Sequence, residues 1–146
     1  MNGNLIFGTL LLLLAMPFML NANDGFSDCS IVGITADILD VSWQPDPLGP
    51  AGTAMQVNVS QPLNQTTTTF TKFVISYNEP SGVISNSIMR EIPPSINNLA
   101  DSYSVVIPDY IPAPIYTVTF MITEAGLGDV SYCVMFNRST RSTRSG

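Results

Sequence analysis

Three observations predict an all-β chain. Apolar and polar residues alternate at period two, short strand-like runs are separated by clusters of Pro, Gly and Asn, and no stretch carries a convincing apolar repeat of 3.6 residues. Residues 31–35 and 38–43 read as the opening strands. Met55, Val57 and Val59 then alternate with Gln56 and Asn58, and Phe73, Ile75 and Tyr77 alternate with Lys72, Val74 and Ser76. Residues 83–89 and 103–107 are further strand candidates. Tyr116, Val118, Phe120 and Ile122 alternate with Thr117, Thr119, Met121 and Thr123, and residues 130–136 complete the set. Roughly seven or eight short strands with turns between them imply an antiparallel β-sandwich.

The breaks are equally informative. Pro45-Asp46-Pro47-Leu48-Gly49-Pro50-Ala51-Gly52 cannot occupy a central strand, because its prolines lack amide donors and its glycines favour turns. Residues 92–98 form a second break, and Pro108, Pro112 and Pro114 crowd a third. Residues 66–69, four threonines, either begin the strand that reaches Tyr77 or remain a polar loop; no function attaches to them.

Residues 5–20 are an uncharged apolar run, shorter than the ~20 residues of a membrane-spanning helix. With a small residue at Ala22 it reads as a secretory signal over residues 1–22, an uncleaved anchor being the alternative. Residues 23–137 form one domain. That body carries eleven acids against Lys72 and Arg90, a net of −9, which argues against a nucleic-acid partner. Residues 138–146, with Arg138, Arg141 and Arg144, read as a disordered basic tail: a solubilising end, or a weak anchor for anionic membranes.

Cys29 and Cys133 are the only cysteines, one behind the leader and one in the last predicted strand. Without CxxC spacing or any histidine, one structural disulfide is expected rather than a metal or redox centre, two free thiols being the alternative. Catalysis finds little support: there is no histidine base, no GxSxG and no phosphate-binding glycine loop, so no enzyme, cofactor or metal is expected. Asp37, Asp40 and Asp46 match no calcium loop and read as solvated or rim carboxylates. Asn58, Asn64 and Asn137 head N-x-S/T sequons and are possible glycosylation sites, with an unmodified polar residue as the plain alternative at each.

In order and spacing, Phe26-Ser27-Asp28-Cys29, Pro45-Asp46-Pro47 before Gly52, Val106-Ile107-Pro108, Pro112-Ala113-Pro114-Ile115-Tyr116-Thr117-Val118 and Tyr132-Cys133-Val134-Met135-Phe136 resemble the ML lipid-recognition domain. The similarity is greatest to its secreted phosphatidylglycerol/phosphatidylinositol transfer branch. It implies an immunoglobulin-like sandwich with a lipid cavity between its sheets, and Cys29–Cys133 as the outermost disulfide. The chain departs from that pattern in lacking further cysteines and in placing Pro114 where glycine is usual. Alternation by itself reports only a packed core at Val57, Val59, Phe73, Ile75, Tyr77, Tyr103, Val105, Ile107, Tyr116, Val118, Phe120 and Ile122. The resemblance makes the same positions cavity walls, and makes Ile96, Tyr110, Ile111 and Ile115 the rim of a portal.

The expectation is therefore a monomeric protein, secreted or in an endomembrane or vacuolar lumen, that binds phospholipid, sterol or fatty acid and exchanges it at a transient membrane surface. The alternative is a secreted adhesion or effector module with a solid core that binds protein or glycan through its loops.

Overall fold

The computed structural model describes residues 23–125 and 128–140. The expected leader, Arg141 and Arg144 lie outside the described residues. Among the described residues nine strands form two sheets: β1 (Phe26–Ser27), β2 (Asp37–Ile38), β3 (Val41–Gln44), β4 (Ala54–Pro62), β5 (Lys72–Asn78), β6 (Ile84–Glu91), β7 (Asn98–Val106), β8 (Ile115–Glu124) and β9 (Asp129–Ser139). The larger sheet runs β1-β9-β8-β5-β6, with β2 also on the β9 edge; the smaller runs β3-β4-β7. All pairings are antiparallel except the two-residue β2–β9 bridge. The β-sandwich expected from the alternation is present.

Period two accounts for the core. On β4 the inward Met55, Val57 and Val59 are buried while Gln56, Asn58 and Ser60 are exposed, the pattern of a sheet with one wet face. β8 is buried on both faces from Tyr116 to Thr123. Its inner side chains join those of β3, β4, β5, β7 and β9 in one apolar cluster. Aromatic contacts tie the layers together: Trp43 of β3 lies 6.2 Å from Phe120 of β8 and 5.8 Å from Phe136 of β9, and Phe73 of β5 stacks on Tyr103 of β7 at 4.8 Å between centroids. Each such buried ring contributes about 1.5–3 kcal/mol of transfer free energy.

On the other side of β8, Cys29, Val74, Met121, Cys133 and Met135 form a second cluster, against which Ile34, Ala36 and Val130 pack. The N-terminal segment supplies this cover, pinned by the Cys29–Cys133 disulfide. The bridge closes 104 residues, for which the loop-entropy argument assigns about 4.7 kcal/mol before native strain is subtracted.

Three expectations are corrected. Residues 31–35 are not a strand: Cys29–Val32 is a single 3-10 turn, capped by Asp28 accepting from the Ser30 amide at 2.8 Å and closed by Gly33 at φ 81°, where a side chain would be strained. Residues 38–43 are not one strand either, since the chain leaves β9 at Ile38, buries Leu39 and enters the other sheet at Val41. The count is accordingly nine. Arg138 and Ser139 belong to β9 rather than to a disordered tail, paired with Tyr116 and Ile115 of β8.

Candidate functional site

The strand directions sort the loops into two groups. At one end, here the proline end, lie residues 45–53, 79–83 and 107–114 with the start of β8 and the close of β9. At the other, the threonine end, lie residues 63–71 and 92–97 with the end of β8 and the start of β9.

Prolines hold the first end open. Having no N–H, Pro47, Pro50, Pro108, Pro112 and Pro114 cannot extend the ladders, and Gln44-Pro45, Asp46-Pro47 and Ala113-Pro114 are cis. The remaining amides fasten the loops: Gly52 N donates to Ile107 O and Ile107 N to Thr53 O, both at 2.9 Å, and Thr140 N donates to Pro114 O at 2.8 Å. Between them a cleft of about 460 Å³ is lined by Leu48, Pro50, Ile107, Ile111, Tyr116 and Thr140 among others. The Tyr116 hydroxyl accepts from Leu48 N at 3.0 Å, fixing the proline loop over β8. Burial raises the Tyr116 pKa above its ordinary value.

Beside Tyr116 sits Tyr77, fully buried, whose hydroxyl has no hydrogen-bond partner. Burial, and then the neighbouring Tyr116, push its pKa up to about 12. The Trp43 Nε1 is likewise buried and unpartnered, and burial, with the charge of and a hydrogen bond to the nearby Asp101, raises the half-buried Tyr103 to about 12. Such donors inside an apolar interior each cost about 1–3 kcal/mol. They are the conspicuous polar anomaly of the core.

A polar clamp flanks the same end. Arg138 Nε and Nη2 donate to the two oxygens of Asp46 at 2.6 and 2.7 Å, and Nη2 also reaches Asp24 O at 2.8 Å. Asn23 donates to Asp46 and brackets the Trp43 backbone, accepting from its N–H and donating to its C=O at 2.8 Å each. The guanidinium lies 5.5 Å from the Trp43 ring centroid and 5.4 Å from that of Phe136. Burial works to raise the Asp46 pKa, but hydrogen bonds from Arg138 and Asn23 and the arginine charge outweigh it, leaving the pKa below its ordinary value. Asp46 is thus a rim carboxylate held by Arg138 and Asn23, and Arg138 is committed to Asp46 rather than offered to a membrane. Burial raises Asp40, while Asp37 accepts from Asn64 Nδ2 at 2.9 Å.

The threonine end carries a smaller pocket of about 240 Å³. Ile122 and Tyr132 from the core and Leu63 form its apolar part, and Thr67, Thr71, Glu124, Asp129 and Ser131 its polar part. The threonine run is a built loop, not a strand: Thr67 Oγ1 donates to Pro93 O at 2.7 Å and accepts from Ile96 N at 3.0 Å, and Thr68 N donates to Thr71 Oγ1 at 2.8 Å.

The expected cavity walls all fall in or against the apolar cluster between the sheets. Ile107 and Tyr116 border the proline-end cleft, Ile122 the threonine-end pocket, and the others pack on one another. The expected portal is split. Tyr110, Ile111 and Ile115 lie at the proline end, with Tyr110 62% and Ile115 51% exposed, whereas Ile96 bonds Thr67 at the opposite end. Leu48 and the unpartnered Tyr77 hydroxyl escaped the sequence reading; the Pro-Leu-Gly-Pro spacing marked the loop but not its landing on Tyr116. All three sequon asparagines are exposed, Asn58 and Asn137 accepting from Ser102 and Thr117 at 2.6 and 2.7 Å. Among the described residues no three His, Cys, Asp or Glu side chains converge as a metal site.

No protein-family model and no curated protein sequence matches the chain.

Proposed function

We propose that this protein binds a lipid without covalent chemistry and carries it between membranes, taking it up at the proline end. The observation that carries this reading is the cleft of about 460 Å³ at the proline end, whose wall combines Leu48, Ile107 and Ile111 with the Tyr116 hydroxyl. The Tyr116 hydroxyl accepts from Leu48 N and keeps its own O–H to donate to a ligand oxygen, and the apolar wall suits a hydrocarbon chain, each buried methylene contributing about 0.8 kcal/mol. Tyr110 and Ile115 stand exposed at the same end, where a loading protein meets hydrocarbon. The resemblance to ML domains supports the same reading. A buried disulfide fits an oxidising compartment, in keeping with a secreted or lumenal carrier.

The second reading, a solid-cored adhesion or effector module, is favoured by the close packing of Phe73, Phe120, Phe136 and Trp43 between the sheets. Native mass spectrometry of the protein purified without detergent separates the two. Retained lipid that exchanges on addition of vesicles supports the carrier; a bare polypeptide mass that stays bare with excess phospholipid, sterol or fatty acid overturns it.

A further inference from the structure

We propose that the threonine-end pocket is a second binding site, selective for a small ligand with a positively charged amine on a short apolar stem. Glu124 and Asp129 form the last rung between β8 and β9, and both line this pocket. Thr68 Oγ1 donates to Glu124 at 2.8 Å and Thr71 Oγ1 donates to its other oxygen, so hydroxyls hold the carboxylate in place. Those bonds orient the charge without neutralising it. Among the described residues the ion pairs are Lys72–Glu91 and Arg138–Asp46, and no lysine or arginine lines the pocket. Lys72, next to Thr71 in the chain, is held by Glu91 and by Thr69 O.

Below this rim the surroundings become apolar. Ile122 is 2% and Tyr132 5% exposed, and Leu63 packs against the same core. The Tyr132 hydroxyl accepts from Asn64 N at 2.8 Å, fixing the residue 63–65 wall. Thr67 and Thr71, at 5% and 2% exposure, are buried polar groups of the wall, Thr67 bonded to Pro93 O and Ile96 N and Thr71 to Glu124 and Thr68 N. The site is thus a preformed cup with an apolar base and an uncompensated anionic lip. Two carboxylates fall short of the six to eight oxygens that calcium takes, whereas an ammonium needs only charge and a few acceptors. An anionic head group is repelled here, so the selectivity is opposite in sign to that of a phosphate-binding pocket. The inference does not rest on the carrier reading, because the pocket lies at the other end of the sandwich.

Three probes with matched tails, hexylammonium, hexanol and hexanoate, test it by NMR titration of the full domain at low ionic strength. Hexylammonium is expected to shift resonances of Thr71, Ile122 and Tyr132 and to bind at least about tenfold more tightly than hexanoate, with a preference that salt weakens. Glu124→Gln and Asp129→Asn should each lower hexylammonium affinity several-fold while leaving hexanol binding unchanged. Asp129 is exposed at the start of β9, so its variant keeps the test open should Glu124→Gln disturb the threonine loop. Equal binding of hexanoate, shifts centred on Tyr116 instead, full affinity in both variants, or no binding of hexylammonium would each overturn the proposal.

Discussion

Tyr77 concentrates the energetic argument at the scale of single residues. A buried hydroxyl without a partner destabilises the protein, so Tyr77→Phe should leave the domain as stable as before or up to about 1–3 kcal/mol more stable. Chemical denaturation reads the effect; a clear loss of stability would mean that the hydroxyl already has a partner. Neighbouring positions obey ordinary core rules. Val118 is fully buried on β8, so Val118→Trp should destabilise by about 1–3 kcal/mol, and Phe120→Ala, which removes contacts with Trp43, Phe73 and Phe136, by about 3–5 kcal/mol. Urea melts of the two variants check these figures, and a Val118→Trp protein of undiminished stability would reveal room between the sheets.

Among the elements, the contact between the β3–β4 loop and β9 is the one with a pH signature. The Asp46 pKa is lower in the folded protein than its ordinary value of 3.8, so its contribution to stability is full above that value and fades as pH falls through the folded pKa. Discounted for solvent screening, Asp46→Asn should therefore cost up to about 1 kcal/mol at neutral pH, and the gap from the unaltered protein should close as pH falls below about 4. Thermal melts across pH 2–7 check this, and a gap independent of pH would assign the cost to packing. This clamp was not legible in the sequence, since Arg138 and Asp46 lie 92 residues apart and Arg-Ser-Thr-Arg reads as tail until β9 is seen pairing with Tyr116. The strands with plain alternation, β4, β5, β8 and the middle of β9, were legible because one face of each meets the core. Residues 31–35 misled because Ile31, Val32 and Ile34 are strand formers, and only Asp28 as cap and Gly33 as closure mark the turn. For the candidate site, the proline loops could be read as loops but not as neighbours, because sequence spacing does not reveal which end of a sandwich a loop occupies. That is why Ile96 and Ile111 looked like partners and are not.

The disulfide and the two ends govern behaviour at the scale of the whole molecule. Cys133→Ser frees the N-terminal segment from the outer face of β8 and β9, and should lower stability by about 2–5 kcal/mol; unreduced peptide mapping of the unaltered protein should recover one Cys29–Cys133 linked peptide. The carrier reading makes the ends unequal. Tyr110 and Ile115 mark the proline end and Phe70, 66% exposed, the threonine end, so an aspartate can be placed at each without opening the core. The most direct test is the rate of lipid transfer from donor to acceptor vesicles for the unaltered protein and for Tyr110→Asp, Ile115→Asp and Phe70→Asp. Slowed transfer in the first two variants with a normal rate in Phe70→Asp is the predicted result; no transfer by the unaltered protein, or slowing confined to Phe70→Asp, would contradict uptake at the proline end.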